Sequence, residues 1–173
     1  MNKGFDVLDK LGVKYSLGRG LILGFHRDGK FLPNDIDIDI DIFGDKQVYE
    51  IIKNMPFEML LLSSCNGRYM QLAFLDRETN VIFDILFYYT EGNRVVNRNV
   101  YGYFWMPVEK IKNMSAITIN NKSYPSLDPE WFCNFWYGED WKKPQKYNAD
   151  WTIDYRRNCK GFIYKGIDNV VFR

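Results

Sequence analysis

Asp35-Ile36-Asp37-Ile38-Asp39-Ile40-Asp41-Ile42 alternates acid and aliphatic without a break. A period of two is that of a β-strand, so one face is apolar and the other carries the carboxylates. Successive carboxylates lie about 6.6 Å apart along such a strand. At an effective dielectric near 20, each neighbouring pair repels by roughly 2.5 kcal/mol. A row of this kind is stable in water or against a divalent cation, and that alternative governs the rest of the reading.

Working upstream, the row is preceded by Leu17-Gly18-Arg19-Gly20-Leu21-Ile22-Leu23-Gly24 and by Arg27. Glycines among bulky aliphatics suit a strand or turn that feeds a helix and lets backbone come close to a ligand. Asp28-Gly29 is a turn, and Pro33-Asn34 leads into the acidic strand. Farther upstream, residues 4–12 read as a short helix with Phe5, Val7, Leu8 and Leu11 on one side, and Val13–Leu17 as extended.

Downstream, Gly44-Asp45 closes the strand, and Asp45 is placed to cap a helix over 46–54. Strands are expected over 57–63, 69–75 and 81–89, with Glu78-Thr79-Asn80 as the last hairpin turn. Arg94–Met106 reads as one extended piece, 108–113 as a short helix after Pro107, and 116–119 as a strand. Asp128-Pro129-Glu130 carries a cap, a first-turn proline and a first-turn acid, which start a helix that Gly138 stops. Val170-Val171-Phe172 reads as a terminal strand.

Composition sets the outer bounds. The chain has 173 residues, read as one domain over 1–173, with 46% hydrophobic residues and a net charge of +1. That balance gives no broad basic surface, so nucleic acid is not favoured as a partner. Cys65, Cys133 and Cys159 form no paired spacing, which argues against a disulfide framework or a zinc site. The amino terminus lacks the apolar core of a signal peptide, and no run approaches the ~18–20 residues that cross a bilayer. A reduced, cytoplasmic setting is expected.

The chemistry is carried by the acids. Carboxylates at i and i+2 of one strand can address one cation, and Mg²⁺ commonly takes one or two carboxylates plus substrate phosphates. Such a cation neutralises charge that builds up in phosphoryl-type transfer. Asp84, the lone acid inside Val81-Ile82-Phe83-Asp84-Ile85-Leu86-Phe87, is the candidate third carboxylate, because an uncompensated carboxylate there is costly. Asp41 lies past this set and is expected to face solvent. His26, the only histidine, has a pKa that suits acid–base work or phosphate contact, but a lone His beside an Arg fits a surface residue better. The aromatic run at 101–105 could stack a base or a sugar, with burial the plainer reading. Tyr155-Arg156-Arg157 is a basic stretch.

Residues Gly20 to Ile40 resemble the signature of the LicD family, which includes the fukutin-related transferases: Gly-Thr-Leu-Leu-Gly, an Arg, a Gly-containing turn, aliphatic-Pro-Trp, then Asp-x-Asp-x-Asp. Phe83-Asp84-Ile85 resembles the family's later Asp-Ile-Phe strand. Tyr137-Gly138-Glu139-Asp140-Trp141-Lys142-Lys143-Pro144 resembles its Tyr-Gly-x-x-Trp-x-x-Pro segment, preceded by Tyr124-Pro125 and Asp128-Pro129-Glu130. The matches fall in order across about residues 8–145. Two positions depart: Leu21 stands where the family has Thr or Ser, and Asn34 where it has Trp.

The resemblance implies an α+β, nucleotidyltransferase-like fold, a mixed β-sheet flanked by helices. It implies a Mg²⁺- or Mn²⁺-dependent transferase that moves a phosphate-linked group, of phosphocholine or polyol phosphate type, from a CDP-linked donor to a sugar or glycan hydroxyl. By the same carry-over Asp37, Asp39 and Asp84 hold the metal and carry catalysis. Asp35 heads the acidic motif, Gly20 and Gly24 admit the donor phosphates, and Arg27 pairs with a phosphate through its planar fork. Two other readings use the same residues: transfer of a nucleoside monophosphate to a small molecule, RNA or protein, and a non-catalytic nucleotide- or cation-binding module.

Overall fold

The computed structural model describes residues 2–33, 35–99, 102–144 and 169–172. Asn34, Tyr101, Cys159 and the Tyr155-Arg156-Arg157 stretch lie outside the described residues. The elements are α1 (Asn2–Lys10), β1 (Tyr15–Leu17), α2 (Arg19–Arg27), β2 (Asp37–Phe43), α3 (Val48–Asn54), β3 (Glu58–Cys65), β4 (Arg68–Asp76), β5 (Val81–Glu91), β6 (Arg94–Asn99), β7 (Gly102–Pro107), β8 (Ser115–Ile119), β9 (Lys122–Ser126), α4 (Pro129–Tyr137) and β10 (Asn169–Phe172).

The strands form one mixed sheet in the order β10-β3-β4-β5-β2-β1-β9-β8, and β6 branches from the far half of β5 to pair with β7. The Ile–Asp alternation does what its period dictates. Ile38, Ile40 and Ile42 are buried on the apolar side of β2. The core gathers there, with Phe5 and Leu8 of α1, Leu21 and Ile22 of α2, and Phe83, Ile85 and Phe87 of β5. β2 runs antiparallel to β1 and parallel to β5. This is the α+β mixed sheet flanked by helices that the sequence led us to expect.

Hairpin chemistry fixes several registers. Asn66 and Gly67, between β3 and β4, both have positive φ (50° and 72°), as do Asn120 and Asn121 (49° and 64°) between β8 and β9. Two consecutive left-handed residues make the tight turn whose twist matches that of the strands it joins. The Asn120-Asn121 turn creates β9, a strand absent from the sequence reading. The extended piece over 94–106 is in fact two antiparallel strands, β6 and β7.

Helix ends show where local signals hold and where tertiary partners override them. The α4 start behaves as expected: Asp128 accepts from the Trp131 N–H at 2.7 Å, and Gly138 (φ 86°) ends the helix. Asp45 does not act as a side-chain cap. The helix expected over 46–54 begins at Val48 behind Gln47, with no side-chain cap bond. The Asp45 carboxylate instead accepts the Tyr89 hydroxyl at 3.0 Å. The helix expected over 108–113 is a single 3-10 turn, Val108–Ile111.

Gly24 marks where the loop after α2 folds back on the helix. A Cβ there would meet the Lys30 carbonyl oxygen at 2.6 Å and the Leu32 nitrogen at 3.1 Å. Both are backbone atoms and cannot swing aside. Gly24→Ala is therefore expected to destabilise by about 1–3 kcal/mol, the usual cost of overpacking, despite alanine's better helix propensity. Asp128→Ala should cost about 1 kcal/mol through the lost cap, lowering the melting temperature by about 2–4 °C for a chain of this size. Thermal denaturation checks both. An unchanged Tm for Gly24→Ala would mean that the loop is not packed on the helix.

Candidate active site

The parallel register of β2 on β5 sets Asp39 directly beside Asp84. Two residues along β2, Asp37 and Asp41 share the face of Asp39, as the strand period requires. Exposure falls along the row: Asp35, Asp37 and Asp39 are half-buried, whereas Asp41 is fully buried. The site therefore opens at the start of β2 and closes toward its end.

Asp41 corrects the expectation that it faces solvent. It has no exposed side-chain surface, and its Oδ1 pairs with Arg19 Nη1 at 3.2 Å. The same nitrogen lies 3.5 Å from Asp39 Oδ1, and Arg19 Nη2 donates to the Tyr88 hydroxyl at 3.2 Å. Arg19 was not singled out in the sequence. It reaches the row because Gly18, the residue before α2, lies against β2: its N–H donates to the Asp39 carbonyl at 2.9 Å. A Cβ on Gly18 would come within 3.1 Å of the Asp39 Cβ.

Asp84 is held from the other side. The amide nitrogen of Gln71, on β4, donates to both of its oxygens at 3.0 Å. Burial nevertheless pushes the Asp84 carboxyl up to about 6, against the hydrogen bond from Gln71. Burial also raises Asp41 to about 6, with Arg19 opposing, and drives Asp39 well upward, where the neighbouring acids add to the effect. Asp35 hydrogen-bonds Asp37 side chain to side chain. Its burial, then that contact, push it up to about 7. A set of carboxylates raised by burial and mutual repulsion is one that a cation would relieve.

The residues fit a divalent cation in this sense. Among the described residues, no three or more acid, histidine or cysteine side chains stand together closely enough to hold a metal ion by themselves. Instead, two carboxylates of β2 and one of β5 share a partly open face. Mg²⁺ bound by a few carboxylates, with substrate phosphate oxygens and water making up the octahedron, needs no more than that.

The other sequence candidates fall in three places. Gly20 is beside the row, packed against the Asp35 carboxylate. Gly24 is packed against the returning loop, and Arg27 is at the far end of α2. Arg27 pairs with Asp28 at 2.8 Å and donates to the Trp141 carbonyl at 3.4 Å. The nine residues of α2 separate Arg19 from Arg27 by about 12 Å of helix rise, so α2 presents Arg19 to the row. His26 approaches Glu130 at 3.2 Å and stacks on Trp141 (centroids 5.2 Å apart), joining α2 to the first turn of α4 and to the segment that follows that helix. Leu21, in place of the family's hydroxyl residue, is a core side chain. Cys65 and Cys133 are buried thiols.

The start of α2 has one further property. The first N–H groups of a helix lack intrahelical partners and carry the positive end of its dipole. Here that end meets the acidic row, which places an anion-attracting terminus next to a cation-attracting face.

Comparison with known proteins agrees with this architecture. The crystal structure of the lincosamide antibiotic adenylyltransferase LnuA with lincomycin bound is similar, with TM-score 0.53 and 15% identity over 90% of this chain and 91% of that one. The solution structure of the antibiotic-resistance factor ANT(2'')-Ia is similar at TM-score 0.51 and 13% identity, over 92% of this chain and 80% of that one. No curated protein matches the chain by sequence. Among the described residues, no helix is long and apolar enough to cross a membrane. Residues 12–126 match the model of the LicD/FKTN/FKRP nucleotidyltransferase domain, and the chain belongs to that family, as a transferase of the nucleotidyl or phosphate-linked-group kind.

Proposed function

We propose that this chain moves a phosphate-linked group from a CDP-linked donor to a sugar or glycan hydroxyl, with Mg²⁺ or Mn²⁺ held by Asp37, Asp39 and Asp84. The observation that carries the reading is the in-register meeting of Asp39 and Asp84 across β2 and β5, on the face that Asp37 shares. Bound there, the cation would neutralise charge on the donor phosphates as transfer proceeds. The α2 N-terminus, beside Gly18 and Gly20, supplies backbone N–H groups for a donor phosphate. The acceptor hydroxyl attacks the phosphorus distal to the nucleoside, the P–O bond to CMP breaks, and a carboxylate of the row takes the hydroxyl proton.

A second reading is favoured by the structural neighbours. The chain spans nearly the whole length of LnuA, an adenylyltransferase. Nucleotidyl transfer would use the same row with attack at the α-phosphorus of a nucleoside triphosphate and release of pyrophosphate. The fold serves both reactions, so the products decide.

Asp37→Asn and Asp39→Asn are each expected to abolish turnover while leaving the thermal transition in place, since each removes a charge from an overcharged face. Near-normal turnover in either variant would remove the metal assignment. Wild-type protein with Mn²⁺ and a cytidine nucleotide at ~100 times its dissociation constant should gain about 2.7 kcal/mol of stability, a Tm rise of several degrees that Asp37→Asn/Asp39→Asn loses. CMP released from a CDP-linked donor supports the first reading, and pyrophosphate released from a triphosphate supports the second.

A further inference from the structure

We infer that Arg19 is a positioning residue for Asp39: by holding Asp39 Oδ1 it fixes the carboxylate that would take the proposed cation. The inference rests on the reading of Asp37, Asp39 and Asp84 as cation ligands.

Three features single out Arg19. Its guanidinium is fixed on every side: Nη1 lies between Asp39 Oδ1 (3.5 Å) and Asp41 Oδ1 (3.2 Å), and Nη2 donates to the Tyr88 hydroxyl. Its carbon sits 5.7 Å from the Trp136 ring centroid and 6.0 Å from that of Phe104. Its backbone has φ 32°, on the left-handed side that a residue with a Cβ rarely occupies. Such backbone is strained and gathers at functional sites. Finally, the preceding residue, Gly18, bonds the Asp39 backbone, so two consecutive residues grip the same acid.

The plainer role, neutralising buried Asp41, accounts for less. A buried ion pair is often no more stable than two well-packed apolar side chains, so stability alone gives little reason to keep it on strained backbone. A planar fork shared between two carboxylates and a phenol, in contrast, fixes an oxygen in place as a point-charge ammonium cannot. Groups that orient metal ligands in this way typically contribute 10–100-fold to metal affinity.

The test exploits charge. Arg19→Met/Asp41→Asn removes one positive and one negative charge together, so the net charge of the site is kept. Mn²⁺ binding to the free protein is measured by electron paramagnetic resonance, alongside thermal melts, for wild type, Asp37→Asn/Asp39→Asn, Arg19→Lys, Arg19→Met and Arg19→Met/Asp41→Asn. Arg19→Met alone should lower the Tm, since it leaves Asp41 buried and unpaired. The double variant should recover most of that Tm yet bind Mn²⁺ about 10–100-fold more weakly than wild type. Arg19→Lys should fall between them. If the double variant binds Mn²⁺ as wild type does, Arg19 serves Asp41 alone and the inference is wrong. If wild type binds no Mn²⁺ that depends on Asp37 and Asp39, the cation reading itself has failed.

Discussion

The parallel ladder between β2 and β5 is the constraint around which this molecule is arranged. It sets Asp39 beside Asp84 at the spacing of neighbouring strands, about 4.8 Å. Two ionised carboxylates that close repel by about 3 kcal/mol at an effective dielectric of 20. Partial burial makes each harder to ionise, which is why Asp84 is pushed up to about 6 and Asp39 well above its ordinary range. Each neighbouring element answers this strain. Gln71 of β4 clamps Asp84, Arg19 of α2 bridges Asp39 and Asp41, and the positive end of α2 faces the row. On the other face, Ile38, Ile40 and Ile42 anchor the same strand in the core, so the acids cannot turn away from one another.

The strand and its two faces were legible in the sequence, because a period of two admits few other structures. Asp84 was legible for a related reason: a lone acid in an apolar strand needs a partner. Arg19 and Asp41 were not. Their contact spans 22 residues and depends on the antiparallel register of β1 with β2, in which Ser16 pairs with Asp41. No local pattern encodes that register. Sequence reasoning also had two arginines to choose from, Arg19 and Arg27, at opposite ends of what becomes α2. Which end meets the row follows from Gly18 bonding the Asp39 backbone, a tertiary fact. The charge balance offered the one available hint, since buried acids need an internal cation and Arg19 stands between two glycines just ahead of them.

Asp45 shows the converse. Its local sequence is that of a helix cap, yet its carboxylate bonds Tyr89 across the sheet. Capping is worth about 1 kcal/mol, no more than one net hydrogen bond, so a contact across the sheet can take its place; here the same hydroxyl also donates to the Tyr69 carbonyl at 2.6 Å. The Asp128 cap survives because it sits at the surface, where nothing competes for it. The glycines divide along the same line. At Gly18 the missing side chain brings α2 against the Asp39 backbone, and at Gly20 it makes room for the Asp35 carboxylate. Their placement is a matter of packing, and its consequence is that a helix terminus and an acidic face lie against each other.

The energetics of the row give the strongest reason to regard it as chemistry. A strand carrying apolar residues at 39, 41 and 84, with an apolar residue at 19, would avoid carboxylate desolvation, mutual repulsion and the left-handed backbone at Arg19, and burying an ion pair gives little stability in return. Folding therefore gains little from these groups as they stand. Where local rules are broken together at one place and the surrounding structure holds the breakage fixed, the compensation lies in what the site binds. A divalent cation, as proposed above, would relieve the two electrostatic terms together: it would offset the repulsion between Asp39 and Asp84 and oppose the burial that disfavours their charged forms. Arg19 completes the argument from below, neutralising the deep end of the row where Asp41 is sealed from solvent and leaving the open end, Asp37 and Asp39, as the place where the proposed cation would bind.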